Sequence, residues 1–285
     1  MNVPSVSCVL RSQTIVFLIS VFAVPSAHAD VRTSPIGPPI YIKATELDLG
    51  EKDDKWHGRY GVGLALVPEF AGSDGYALDI DLDLKLFWKN TFFFENGTLG
   101  VITFNNRIWR AGVMLRGVDG RRRRNLPVPL QGLGKVDVRL DGGAFVGMSL
   151  YKFYLTGEVF TDLSGVTSGQ TFNLEGGYTK ELSRKARLVP YVRLKWGSNA
   201  HMQSFFGVTS AQSAATGLTA FRAHAGLYES AIGAIFENDL GQHWRLGASA
   251  NLGLLSGAAS NSPITRSRYG SRGQYSLRVK LLKTF

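Results

Sequence analysis

Cysteine is nearly absent from this sequence of 285 residues, and long apolar runs are absent from most of it. The single cysteine, Cys8, lies close to the N-terminus, so disulfide bonds and thiol chemistry are excluded for the remainder of the chain. After Val24, no apolar run reaches the roughly 20 residues that a membrane-spanning helix needs. A helical inner-membrane protein is therefore excluded.

Catalytic motifs are also missing. The histidines that follow the first apolar run are His57, His201, His224 and His243, and none lies in an H-x-S, G-x-S-x-G or H-E-x-x-H arrangement. Glycine-rich phosphate loops are absent as well. We therefore expect no enzyme, no metal site and no cofactor. A hydrolase that uses His201, with Ser204 three residues further on, is the enzymatic alternative.

Glycine and aromatic residues, in contrast, are abundant, with 33 glycines and 11% aromatic residues. A chain with 44% hydrophobic residues can bury a core or face lipid, so intrinsic disorder is excluded. The mean hydropathy of −0.01 suits a soluble protein, but it also suits a barrel whose strands alternate lipid-facing and lumen-facing residues. Composition alone leaves these two classes open.

The first 29 residues are ordered like an export signal. Arg11 precedes the apolar run Thr14–Val24, and Ala27-His28-Ala29 forms an A-x-A cleavage site before Asp30. We therefore predict a signal peptide over 1–29 that is cleaved between Ala29 and Asp30. The net charge is +10, and an exported protein this basic meets lipid phosphates, anionic sugars or acidic partners rather than nucleic acid.

Apolar and polar residues alternate with period two from Tyr60 onward. In Ala77–Trp88, every second residue from Leu78 is apolar, and the other face carries Asp79, Asp81, Asp83 and Lys85. His243–Leu254 and Gln274–Phe285 alternate in the same way. Soluble strands usually have about 5–6 residues, whereas a tilted strand that crosses an outer membrane needs about 9–11. The length of these runs favours a membrane barrel.

Further segments fit the pattern less sharply and bring the strand count to eleven, although single-chain bacterial barrels have an even number. These segments are Tyr60–Val67, Thr91–Phe104, Arg107–Gly117, Val136–Ser149, Phe153–Leu163, Gln170–Glu181, Arg187–Trp196 and Gly226–Glu237. A hairpin at Glu95-Asn96-Gly97, or a strand within Ile40–Leu49, would supply the twelfth. The hairpin would leave Thr91–Phe94 short for a full crossing. We predict an all-β, antiparallel up-and-down transmembrane β-barrel of about twelve strands, with ten or fourteen as alternatives.

The connections between these strands alternate in length, which is typical of a barrel with short periplasmic turns and long external loops. The predicted external loops are Val118–Lys135, Ser164–Gly169, Gly197–Ala225 and Ser256–Arg272. If the hairpin at Glu95-Asn96-Gly97 forms, Pro68–Gly75 also lies on the external side. We predict three regions: the signal peptide over 1–29, a periplasmic N-terminal arm over 30–59 and the barrel over 60–285. The arm has a proline-rich start and an acidic stretch before Trp56. We favour it as a periplasmic binding surface, the alternatives being a disordered leader or an extra strand.

Two charged groups are candidate functional features. The row Asp79, Asp81, Asp83 and Lys85 is expected to line the lumen, where its carboxylates either pair with arginines such as Arg110, Arg116 or Arg245 or attract cations in a narrow pore. The run Arg121, Arg122, Arg123 and Arg124 lies in an external loop, and arginine binds phosphate bidentately. It is expected either to contact lipopolysaccharide phosphates or to be a solvated loop.

Short loop motifs resemble those of the MipA/OmpV family of outer-membrane proteins. They are Pro68-Glu69-Phe70-Ala71-Gly72-Ser73-Asp74, Leu130-Gln131-Gly132-Leu133-Gly134, Phe205-Phe206-Gly207-Val208, Ser262-Pro263-Ile264 and the terminal Phe285. The chain departs from the family in having Phe70 and Phe205 where tyrosine is frequent, and in its longer arginine run. A terminal aromatic also resembles the signal read by the barrel-assembly machinery, although Lys283 interrupts the apolar alternation before it.

The resemblance implies a barrel in the outer membrane of a Gram-negative cell, in contact with membrane lipid and lipopolysaccharide. It further implies a scaffold role in murein synthesis and hydrolysis, in which some members bridge a lytic transglycosylase and a penicillin-binding protein. Other members resemble adhesins, surface antigens or small-solute proteins. A narrow channel for small solutes and a surface adhesin are therefore the alternative functions.

Overall fold

The computed structural model describes residues 56–89 and 91–285. Three predictions lie outside these residues: the signal peptide with its cleavage site between Ala29 and Asp30, the strand within Ile40–Leu49, and nearly all of the N-terminal arm.

Twelve antiparallel strands form a single closed sheet, which confirms the predicted barrel. They are β1 Trp56–Pro68, β2 Tyr76–Trp88, β3 Phe92–Glu95, β4 Thr98–Asn105, β5 Trp109–Val118, β6 Arg139–Leu150, β7 Phe153–Asp162, β8 Gln170–Tyr178 (continued by Lys180–Glu181), β9 Ala186–Gly197, β10 Gly226–Asp239, β11 Trp244–Leu255 and β12 Gly273–Thr284. Each strand pairs with the next along the chain, and β12 pairs with β1 to close the ring.

The twelfth strand comes from the predicted asparagine–glycine hairpin. Asn96 and Gly97 have positive φ angles of 45° and 87°, the backbone conformation that a two-residue turn between twisted strands requires. The turn joins the short strand β3, only four residues long, to β4.

The barrel begins four residues before the predicted boundary at Tyr60. Trp56 pairs with Trp88 on β2, and their rings stack with centroids 5.8 Å apart. The segment 56–59, which the sequence pattern assigns to the arm, is therefore part of β1. The missed signal is the aromatic pair, because apolar alternation alone becomes irregular at Gly58.

The outer surface of the wall is apolar, and aromatic residues lie at both of its ends. On β2, Leu78 and Ile80 are 67% and 62% exposed. Tyr60 contacts Phe285 at the short-turn end, and Tyr76 stacks on Tyr275 at the long-loop end. An apolar band between two aromatic girdles is the outer face of a membrane barrel. The end with short turns is therefore taken as periplasmic.

The long loops carry the helical elements. These are α1 Asn199–Phe206, α2 Ser210–Thr216, α3 Gly257–Asn261, α4 Pro263–Arg266 and the two 3-10 turns Arg123–Asn125 and Val128–Leu133. Within the described residues, no helix is both long enough and apolar enough to span a bilayer.

Candidate functional site

The charged row of β2 faces the lumen, as expected, but its partners differ from the predicted ones. Asp83 accepts hydrogen bonds from Arg59 Nε at 3.0 Å and from Lys280 Nζ at 3.4 Å. Asp81 lies 3.0 Å from Lys280 and 3.4 Å from Arg278. The carboxylates therefore pair with β1, the immediate neighbour of β2, and with β12 on the far side of β1.

The other two members of the row, Lys85 and Asp79, have different partners. Lys85 forms an ion pair with Glu95 on β3. Asp79, nearest the loop end, accepts a hydrogen bond from the backbone N–H of Ile80 at 2.9 Å.

The arginines predicted as partners of this row bind elsewhere. Arg116 pairs with Asp141 at 3.1 Å, and Arg245 pairs with Asp239 at 2.6 Å. Arg110 Nε donates to Asn105 Oδ1 at 3.2 Å. These contacts join adjacent strands on other parts of the wall, so the predicted pairs are wrong although the predicted kind of interaction is present.

A second ionic group lies in the lumen around Glu237. Its carboxylate accepts from Arg59 at 3.1 Å, lies 3.5 Å from Arg245 and also pairs with Arg187. Three guanidinium groups thus surround one buried carboxylate. Because Arg59 also binds Asp83, the two ionic groups are continuous across the lumen.

Aromatic and aliphatic side chains fill another part of the lumen. This lumen core consists of Phe87, Phe93, Ile102, Met114, Phe145, Tyr154, Phe160, Val189, Tyr191 and Ile235. Glycines in the wall make room for its rings, since a Cβ on Gly100 would lie 2.1 Å from the Phe93 ring. Tyr154 is held by a 2.8 Å hydrogen bond from its hydroxyl to Glu175. A barrel of this size can be filled largely by its own side chains, and here the lumen core occupies one part of the interior. A cavity remains under the external loops, beside Lys195, Glu229 and Gln274.

The long loops pack together over one end of the barrel and form an external cap. One apolar cluster joins Phe70, Leu126, Leu130, Leu133, Val208 and Ile264, and a second contains Met202, Phe205, Phe206, Ala223, Tyr228, Leu255 and Ala259. The cap thus draws on four separate loops, those at 69–75, 119–138, 198–225 and 256–272. Sequence reasoning places these loops on one side but misses their packing, for which it has no local signal.

The family-type motifs meet within this cap. Gly72, with a φ of 89°, donates its N–H to Gln274 at 3.0 Å. The buried Ser262 donates to the carbonyl of Phe206 at 2.6 Å, and a Cβ on Gly132 would lie 2.8 Å from Ala215. Other motif residues hold the ends of cap elements: Pro68 ends β1, Ser73 bridges to Gly270, Gly134 has a φ of 74°, Gly207 ends α1 and Pro263 begins α4. These motifs build the cap rather than a reactive centre.

The four arginines of the run differ in how far the cap buries them. Arg121 is buried, donates to the carbonyl of Phe205 at 3.1 Å and has its pKa lowered to about 10 by burial. It therefore cannot contact lipopolysaccharide, which corrects one member of the predicted set. Arg122 is half-buried, and Arg123 and Arg124 are exposed.

The candidate catalytic histidine lies beneath the cap, where it borders a cavity that Lys195 and Glu229 also line. His201 is buried in the cap, with its ring 4.9 Å from Phe205 and 5.4 Å from Tyr228. Ser204 donates to the Ala200 carbonyl of its own helix at 2.9 Å. Among the described residues, no cluster of histidine, aspartate or glutamate side chains has the arrangement of a metal site.

A basic ring at the short-turn end is not anticipated by the sequence reasoning. The exposed residues Lys89, Arg107, Lys152, Lys180, Arg184 and Lys185 lie on or beside the turns of this end. Among residues 56–89 and 91–285, their acidic neighbours are fewer, namely Glu181 and Asp239. Tyr151, 94% exposed, projects from the turn between β6 and β7. We call this set the basic rim; counting lysine and arginine in the short turns would have found it.

The C-terminus closes the barrel beside the basic rim. The N–H of Phe285 donates to Gly58 at 3.1 Å, and its exposed ring lies on the outer face beside Tyr60.

Comparison with known families decides the relationship of the chain. The model of the family described as MltA-interacting protein MipA matches residues 60–285. The chain belongs to this family. The match covers the barrel and confirms the resemblance drawn from the loop motifs. Together with the apolar outer band, membership makes the protein an outer-membrane β-barrel of the MipA family.

Solved outer-membrane proteins share the general architecture at low similarity. An outer membrane channel from Pseudomonas putida F1 is 9% identical with a TM-score of 0.44, covering 88% of this chain and 100% of the channel. The NanC porin is 8% identical with a TM-score of 0.38, covering 79% and 98% respectively. OmpT of Vibrio cholerae is 6% identical with a TM-score of 0.35, covering 84% and 100%. No curated protein sequence matches the chain.

Proposed function

We propose that this protein is a non-enzymatic outer-membrane scaffold for murein machinery, whose periplasmic face binds a lytic transglycosylase of the MltA type. The observation that carries the proposal is the lumen core and the ionic groups around Asp83 and Glu237, which obstruct the barrel beneath a packed cap. A barrel closed in this way offers its two end surfaces and its outer wall for function. The family description, MltA-interacting protein, supplies the class of partner.

The basic rim is the proposed docking surface on the described part of the chain. Its side chains lie at the periplasmic end and leave a net positive charge there. Charge complementarity chiefly accelerates association and selects partners. We expect the contact face of the transglycosylase to be acidic. We also expect a penicillin-binding protein to join the complex by binding to the transglycosylase.

The N-terminal arm is a second proposed contact surface, of opposite charge, which would bind a basic patch of the partner. Its predicted acidic stretch ends at Asp54, two residues before Trp56 at the periplasmic end of β1. The arm is therefore tethered beside the rim whatever its conformation. In this proposal the chain is exported through its signal peptide, and the barrel-assembly machinery reads Phe285.

The test is the affinity of the purified full chain for an MltA-type lytic transglycosylase, measured by biolayer interferometry in detergent. Replacing Lys152, Arg184 and Lys185 with glutamine should weaken binding by roughly tenfold, because rim charges steer association. The matched control is glutamine at Arg122, Arg123 and Arg124, which removes the same charge from the opposite end. A second variant that lacks residues 35–55 should bind still more weakly while remaining a folded barrel.

Equal affinities for the rim variant, the cap variant and the wild type would overturn the rim as the docking surface. Undiminished binding after removal of 35–55 would exclude the arm. If the wild type itself does not bind the transglycosylase, the scaffold proposal fails as a whole.

A further inference from the structure

The hairpin of β3 and β4 is too short to complete the barrel wall. β2 pairs with β1 over its entire length, from Tyr76 to Trp88. On its other side, β2 pairs with β3 only from Lys85 to Trp88, and Leu84 adds two hydrogen bonds to Asn96. Among the described residues, the β2 segment from Tyr76 to Asp83 therefore has no strand beside it on this side.

The missing strands leave an opening with four borders, which we call the lateral window. Its first side is the β2 edge, Tyr76–Asp83, and its sill is the Asn96-Gly97 turn. The opposite side begins at the end of β5, where Gly117 donates to Gly97 at 3.1 Å, and continues as the loop that follows Val118. Three strand spacings separate β2 from β5, so the window is about 14 Å wide between backbones.

The roof of the window is the loop that follows β5. This loop leaves β5 at Val118, passes through Arg122–Arg124 and reaches Leu126, which is buried in the same apolar cluster as Phe70 of the loop between β1 and β2. The loop thus connects the β5 side of the opening to a cluster that includes the loop on the β2 side. The exposed side chains of Arg123 and Arg124 lie on this connecting segment.

The window lies in the external half of the membrane. Tyr76, at the top of the β2 edge, stacks on Tyr275 in the external aromatic girdle. Below it, Leu78, Ile80 and Leu82 are exposed on the lipid-facing side. An aromatic girdle marks the level of the lipid headgroups, so the roof arginines lie at headgroup level and these aliphatic side chains lie at the level of the acyl chains.

The β2 edge presents polar backbone groups to this opening. Both the N–H and the C=O of Leu84 bond to Asn96, and in an antiparallel strand alternate residues direct both groups to the same side. The backbone N–H and C=O groups of Leu78, Ile80 and Leu82 therefore point into the window. Asp79 satisfies the N–H of Ile80. Open sheet edges do not occur against hydrocarbon, so the window needs an occupant that can form hydrogen bonds.

We propose that the lateral window binds a phosphorylated glycolipid of the external leaflet. Phosphate groups would bind to the roof arginines Arg122, Arg123 and Arg124, because guanidinium binds phosphate bidentately. Sugar hydroxyls and amides, which both donate and accept hydrogen bonds, satisfy the β2 edge, and an acyl chain lies along Leu78, Ile80 and Leu82. No single simpler ligand supplies all three contacts. The inference does not depend on the scaffold role.

Photo-crosslinking in isolated outer membranes tests this proposal. Because the only cysteine, Cys8, precedes the barrel, a single cysteine can be introduced and labelled with benzophenone maleimide. Ile80→Cys places the probe in the window. Val159→Cys is the matched control, since Val159 is similarly exposed at 51% but lies in continuous wall, paired with strands on both sides.

We expect Ile80→Cys to capture lipopolysaccharide several-fold more than Val159→Cys, and we expect glutamine at Arg122, Arg123 and Arg124 to reduce that capture several-fold, because three guanidinium–phosphate contacts are lost. The rim variant serves as the charge-matched control and should leave capture unchanged. Resistance of the folded barrel to SDS verifies that each variant folds. Equal capture at both positions, or capture indifferent to the arginines, would overturn the proposal. A polypeptide adduct at Ile80 would overturn it in favour of a partner strand.

Discussion

Individual residues in the lumen illustrate what alternation can and cannot predict. Period two along β2 correctly predicts that Asp81, Asp83 and Lys85 face inward, because side chains of a strand alternate between its faces. It does not predict that Asp83 pairs with Arg59 and Lys280, since pairing depends on the stagger between strands and on side-chain reach across the lumen. For this reason the predicted pairing of lumen carboxylates with basic side chains is present, whereas the particular arginines predicted as partners are wrong.

Glu237 gives a residue-scale prediction. It is the carboxylate shared by the buried Arg59 and the half-buried Arg187 and Arg245, so Glu237→Gln leaves three guanidinium groups with less compensating charge. Removing one partner from a buried ion pair costs about 3–5 kcal/mol of unfolding free energy. Asp239→Asn is the control, because this partly exposed carboxylate pairs with Arg245 alone and should cost roughly 1 kcal/mol or less. Urea unfolding followed by tryptophan fluorescence measures both, and similar losses would contradict the shared role of Glu237.

At the scale of elements, strand position is predictable to within a few residues, while interruptions of the ladder are not. The predicted strand Gln170–Glu181 is interrupted at Thr179. Thr179 lies opposite Val189 of β9, the residue that precedes Pro190. Proline has no N–H to donate to the ladder, so pairing stops at Tyr191 and resumes at Leu188. The break depends on which residue faces the proline across strands, and that register is not visible in one sequence.

The turn between β3 and β4 carries the element-scale prediction. Gly97 has a φ of 87°, and no atom lies within 4 Å of the position that a Cβ would take, so Gly97→Ala is opposed by backbone strain alone. A left-handed conformation costs an alanine about 1–2 kcal/mol, which should appear as lost unfolding free energy. Gly241→Ala, in the open turn between β10 and β11 and without a positive φ, should be neutral or slightly stabilising. Equal effects at the two glycines would contradict the required turn conformation.

Over the whole molecule, closure of the sheet is predictable because lipid cannot satisfy a free strand edge. The external cap is not, since it forms from contacts between loops that are far apart in sequence, such as Phe70 with Ile264. The lateral window cannot be predicted from the sequence either, although the position of the Asn96-Gly97 turn does predict that β3 is short. The long-range packing of loops, rather than the strand pattern, determines which surfaces of this barrel are available.

The packing of the lumen and the loops also predicts whether the barrel conducts ions. The ionic groups around Asp83 and Glu237 and the lumen core around Phe93 and Phe145 occupy the interior, while the cap covers its external end. Planar bilayers containing the purified full chain should therefore show no discrete current steps, because an ion that enters past the cap or through the lateral window would still have to displace the lumen core to cross. The measurement requires a parallel check that the inserted protein is folded, by its resistance to SDS. Discrete, salt-dependent steps from folded protein would favour the small-solute channel, and they would place the working surface in the lumen instead of at the basic rim.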